Sequence, residues 1–205
     1  MFIQKGFIMR IRQSVKLAVF VVGVAALAGL RPANVAAQGK HAHMPARNAA
    51  ADPDKAGALV KIVRESTARF QDVEVAKAEG YQLQFGCVSG SDSGAMGMHF
   101  VKGALVGDGE LDVTRPEIVI YEPQPNGQLK LIGADYLVLA DAWHQSHSEP
   151  PQLMGQLLHL FEAPNRFGLP AFYTLHVWAW KDSPAGTFVN WHPNVSCNAF
   201  AGKRP

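Results

Sequence analysis

Eight histidines are spread over 205 residues, and two of them fall where imidazole is costly to leave unpartnered. His176 lies in Phe172–Lys181 (FYTLHVWAWK), whose alternation as a strand puts Thr174, His176, Trp178 and Trp180 on one face. His99 follows a glycine-punctuated loop, in a segment where Met98 and Phe100 face one way and His99 and Val101 the other. A third polar residue on a strand, Glu122, shares a face with Ile118 and Ile120. A carboxylate at the rim of an apolar surface needs a cation or a donor. Two neutral imidazoles and a carboxylate suit zinc, iron, manganese or copper, and three protein ligands leave positions open for water or substrate. His159 is the candidate for a fourth ligand, with Trp178, Trp180, Met96 and Met98 excluding bulk water.

The other histidines invite simpler readings. His41 and His43 lie in an alanine-rich stretch read as a solvated tail, and His144 and His147 precede Pro150-Pro151 in a segment read as surface loop. His192, held extended by Pro193, is expected in an exposed turn. Nucleophilic catalysis finds no support, because Ser89, Ser91 and Ser93 stand in no G-x-S-x-G elbow. Gly90, Gly94 and Gly97 resemble a phosphate loop only loosely, since no GK[ST] ending follows.

The elements that must position these groups can be read along the chain. Lys5, Arg10, Arg12 and Lys16 precede the apolar run Leu17–Leu30, and Val35-Ala36-Ala37 fits a cleavage site, so residues 1–37 read as a signal peptide and 38–51 as a flexible tail. An exported protein, periplasmic or extracellular, is expected, with no further stretch apolar enough to span a membrane. Removing residues 1–37 leaves 14 basic against 17 acidic residues, a formal charge of −3 with no Lys/Arg cluster, which excludes nucleic acid as a partner. In an exported chain Cys87 and Cys197 are expected to form a disulfide.

Residues 52–205 read as one α+β domain: two N-terminal helices followed by a mainly antiparallel, curled sheet. The first helix starts at Asp52-Pro53 and runs to about Phe70, and a second runs from about Asp72 to Gly80. Tyr81–Val88, Glu117–Glu122, Leu129–Leu139 and Phe172–Lys181 read as strands, with Asn126-Gly127 turning a hairpin. Gln152–Glu162 has helical spacing in Leu153, Gln156, Leu157 and Leu160, and Phe188–Trp191 reads as a short return strand.

The segments Ala78–Tyr81 (AEGY), 94–101 (GAMGMHFV), 115–127 (RPEIVIYEPQPNG), 175–186 (LHVWAWKDSPAG) and 190–197 (NWHPNVSC) resemble a family of exported bacterial proteins. The resemblance covers about Phe70 to Cys197 and implies that these segments form one domain; it supplies no activity, cofactor or substrate. Three functions are therefore expected in competition. The first is a small metalloenzyme, hydrolytic or oxidative, acting on a small molecule through His99, Glu122, His176 and His159. The others are a metal-free pocket for an apolar or aromatic ligand, and a structural envelope protein.

Overall fold

The computed structural model describes residues 53–90 and 92–202. The leader, the tail with His41 and His43, and the capping Asp52 lie outside the described residues.

Helix α1 (Pro53–Thr67) continues through one 3-10 turn (Ala68–Gln71), and a six-residue helix α2 (Val73–Ala78) follows, capped where the Asp72 side chain accepts from the Glu74 amide. The helical part is thus one long helix with a short appendix. Strands β1 (Gln82–Ser89), β2 (Ala95–Val101), β3 (Ile118–Pro123) and β4 (Leu129–Leu139) form an antiparallel meander, with a four-residue helix α3 (Gly103–Val106) between β2 and β3. After α4 (Ala140–Trp143) comes a two-residue hairpin of β5 (Gln152–Leu153) and β6 (Gln156–Leu157). Strands β7 (His159–Phe161) and β8 (Phe172–Val177) complete a six-stranded sheet in the order β1-β2-β3-β4-β8-β7, with every pairing antiparallel.

The helix expected over Gln152–Glu162 is therefore three short strands. Met154 (φ 48°) and Gly155 (φ 82°) are both left-handed and reverse the chain in the middle of the stretch. The expected return strand at Phe188–Trp191 is absent too; the contact there is a single bridge between Ala95 and His192. His192 is fully buried against Trp178 rather than exposed in a turn.

Alternation along β4 and β8 divides the sheet into two faces. Ala134, Tyr136 and Val138 with Tyr173, Leu175 and Val177 meet Leu59 and Val63 of α1 on the convex side. The opposite side carries Asp135 and Leu137 with Phe172, Thr174 and His176. Flat, strands three places apart would lie roughly 14 Å from one another. The side chains of His99 on β2 and His176 on β8 nevertheless meet, so the sheet is strongly curled around this face. The loop 162–170 closes the open side of the curl. Its Phe167 ring lies 5.3 Å from Phe85 of β1 and 6.4 Å from Phe161 of β7, and Arg166 donates to the Ser89 carbonyl at 3.1 Å. Cys87 and Cys197 are bonded, with Cα atoms 5.7 Å apart, tying the C-terminal segment to β1.

Candidate metal centre

His99, Asp135 and His176 come together on the concave face. Asp135 and His176 are direct register partners on β4 and β8, and Ile118, the register partner of Asp135 on β3, stands one place from His99's strand. Each of the three offers a donor atom within 4.8 Å of the other two, and all are buried. The Nε2 atoms of His99 and His176 are 3.4 Å apart. That is about the 3.3–3.4 Å edge between two nitrogens on a tetrahedral ion with bonds of about 2.0–2.1 Å.

Burial sets the charge of the site. It pushes His99 down to about 4, helped by the neighbouring His176, and it pushes His176 down to about 3. Burial raises Asp135 to about 6, against the Thr174 hydroxyl and the Leu175 amide that donate to it. At neutral pH the imidazoles are therefore free bases and the carboxylate is mostly ionised, the protonation states that metal ligation requires. No lysine or arginine pairs with Asp135 among the described residues; the nearest basic atom is Nδ1 of His176, at 3.6 Å, too far for a hydrogen bond. Among the described residues, Nδ1 of His99 and of His176 have no hydrogen-bond partner. The two Nε2 atoms that face one another, beside a carboxylate paired with no lysine or arginine and all nearly dry, form a donor set suited to a cation. The orphaned Nδ1 atoms are then left for the carboxylate or an ordered water.

The triad forms one wall of a cavity of about 30 Å³, room for little more than one water-sized group. Apart from the triad and Thr174 its lining is apolar, and four phenylalanines, Phe85, Phe161, Phe167 and Phe172, contribute to it. Trp178 backs His176 with ring centroids 5.6 Å apart and donates its Nε1–H to the Val189 carbonyl. Of the two expected methionines, Met96 lines the cavity and Met98 does not.

Two expected ligands are placed elsewhere. Glu122 is buried, as expected, but its cation is the ammonium of Lys181, at 2.7 and 2.9 Å, and it also accepts from the Ser196 amide at 3.1 Å. These bonds use the carboxylate to hold the C-terminal segment beside Cys197. His159 is exposed on β7, opposite Thr174 in the register, where its Nδ1 contacts Asn190 Oδ1 at 3.3 Å. It stays outside the donor cluster and is sensed by Asp135 and His176 only through its charge. His144 is likewise an exposed residue, bonded to the His147 carbonyl and the Tyr173 hydroxyl.

Asp135 is the member of the donor cluster that sequence reasoning missed. Its signal is present: in LKLIGADYLVL it is the lone acidic residue amid an apolar strand, beyond Lys130 and without turn residues around it. No protein family, characterised protein or solved structure matches this chain, so the chemistry of the site rests on its own atoms.

Proposed function

We propose that this protein is an exported small metalloprotein whose single transition-metal ion is held by His99, Asp135 and His176, and that it acts as an enzyme on a small molecule. The observation that carries the reading is the pair of buried imidazoles, Nε2 to Nε2 at 3.4 Å, beside a buried carboxylate that no lysine or arginine pairs with among the described residues. Two histidines and one carboxylate leave coordination positions free, a donor set that suits iron(II) first and zinc, manganese or copper after it. The lining contributes no lysine, arginine or second carboxylate. An apolar chamber without a separate proton donor favours chemistry in which the ion itself activates a bound group, by polarising a carbonyl or binding dioxygen, over hydrolysis assisted by a general acid. Export is supported by the basic-apolar leader sequence and by a disulfide, which persists in oxidising compartments.

Metal analysis of protein purified without a histidine tag tests the proposal. About one equivalent of a transition metal is expected, lost in His99→Ala, Asp135→Ala and His176→Ala and kept in His144→Ala and Glu122→Gln, with circular dichroism reporting that each variant is folded. Wild-type protein that takes up no metal when supplied with iron(II) or zinc, or folded triad variants that keep it, would overturn the reading.

A further inference from the structure

The cavity that holds the triad does not stand alone. A groove of about 500 Å³ lies against it, and Phe85, Leu137 and Leu169 line both. The groove has the size of a small-ligand site; the inner chamber, at about 30 Å³, does not. Val101, Val106 and three glycines give the groove an apolar floor with little relief, and its only polar side chains are the uncharged Gln82 and Gln84. The chamber is equally bare of charge apart from the triad itself. A charged body resting in the groove would lose water and gain no counter-ion.

Phe85 stands between the two. It interrupts the pairing of β1 with β2: the register runs through Gln84 and resumes at Cys87, leaving Phe85 and Gly86 bulged out. Both are left-handed, φ 61° and 66°. The conformation is natural for glycine and costs a bulky residue on the order of 1 kcal/mol or more. What the bulge achieves is placement, since it turns the ring toward Phe167 and over the join between groove and chamber. Bulges that re-aim a side chain are common beside functional sites.

From this placement, and resting on the metal reading above, we infer that the substrate has an uncharged, apolar body that lies in the groove while a slender head group passes Phe85 to reach the ion. The ring of Phe85 selects on the width of the head and the groove on the apolarity of the body.

Alkyl isocyanides, neutral and linear at the ligating end, test both parts on the iron(II)-loaded protein under anaerobic conditions, read by charge-transfer absorption. From ethyl to n-hexyl isocyanide the affinity is expected to rise about two- to fourfold per added methylene as the tail fills the groove. Gly103→Trp fills the groove from a position whose Cβ meets nothing within 4 Å. It should abolish that rise, so that n-hexyl isocyanide binds no tighter than ethyl isocyanide. tert-Butyl isocyanide, branched beside the head, should bind about tenfold or more weaker than the n-butyl isomer, and Phe85→Gly, which suits the left-handed backbone, should remove most of that difference. An affinity that ignores chain length, or a tert-butyl penalty that survives Phe85→Gly, would overturn the inference while the metal site stands. Should the protein hold no iron, the groove is read in metal-free protein with N-phenyl-1-naphthylamine. Saturable fluorescence enhancement, lost in Gly103→Trp, supports the apolar groove, and its absence sinks it.

Discussion

Asp135 and Glu122 are both carboxylates buried on neighbouring strands, and their partners separate their roles. Glu122 has an ammonium and a backbone amide; Asp135 has a hydroxyl, an amide and two uncharged imidazoles. Lys181→Met should therefore lower stability by about 1–2 kcal/mol, less than a fully buried pair because both partners retain some solvent contact, and leave metal content untouched. Denaturant unfolding alongside metal analysis checks this, and loss of metal in that variant would return Glu122 to the ligand set. A third carboxylate, Glu117, accepts from the Leu137 amide at 3.0 Å, and burial pushes it from an ordinary 4.5 up to about 8. A group held protonated by the fold adds stability that is fully present below about 4.5 and is lost as the pH climbs from there through about 8. Glu117→Gln should flatten the decline in unfolding free energy between pH 6.5 and 8, where the wild type loses up to about 1.4 kcal/mol per pH unit through this group. Equal slopes for the two proteins would refute it. At this scale the sequence discloses residue type and face, which is how His99 and His176 are found. It does not disclose which of several buried acids meets a lysine from 59 positions away.

Elements decide which of those side chains can converge. His99 and His176 are brought together by curvature, and curvature depends on strands approaching where side chains would block them. At Gly133, beside the irregularity that shifts the β3–β4 register, an added Cβ would lie 2.5 Å from the Val177 carbonyl oxygen. Gly133→Ala should push β8 away from β4, cost about 1–3 kcal/mol, and weaken metal binding although residue 133 touches no ligand. Unchanged thermal stability and metal content would show that the sheet absorbs the methyl group elsewhere. Strand identity is largely legible in the chain, from the alternation of β1, β3, β4 and β8 and from Asn126-Gly127 at the hairpin. The misreading of 152–162 has a definite cause. Leucines spaced three and four apart fit a helix, yet Met154 and Gly155 place a left-handed reversal inside the run, and the three short strands that result are too brief to show a period of two. The curl itself has no sequence period, so the meeting of residues 77 positions apart could not be read in advance.

Among the described residues two apolar cores share one sheet, the convex one under α1 and the concave one around the triad and the disulfide. The bond between Cys87 and Cys197 closes a loop of 110 residues, for which chain entropy allows about 4–5 kcal/mol as an upper value. Replacing both cysteines by alanine should lower the stability of the folded protein by about 2–5 kcal/mol, measured by denaturant unfolding; an unchanged midpoint would mean that the tail is held without it. Among the described residues no helix is long and apolar enough to cross a membrane. The bond also has a neighbour of consequence, because Cys87 follows the Phe85-Gly86 bulge directly. Because Cys87 is fully buried, dithiothreitol added as routine sample protection would reach the bond only through local opening. Once the bond is reduced, the segment carrying the bulge loses its tie to the C-terminal tail, and isocyanide binding compared with and without reductant reports whether the ring's position depends on it.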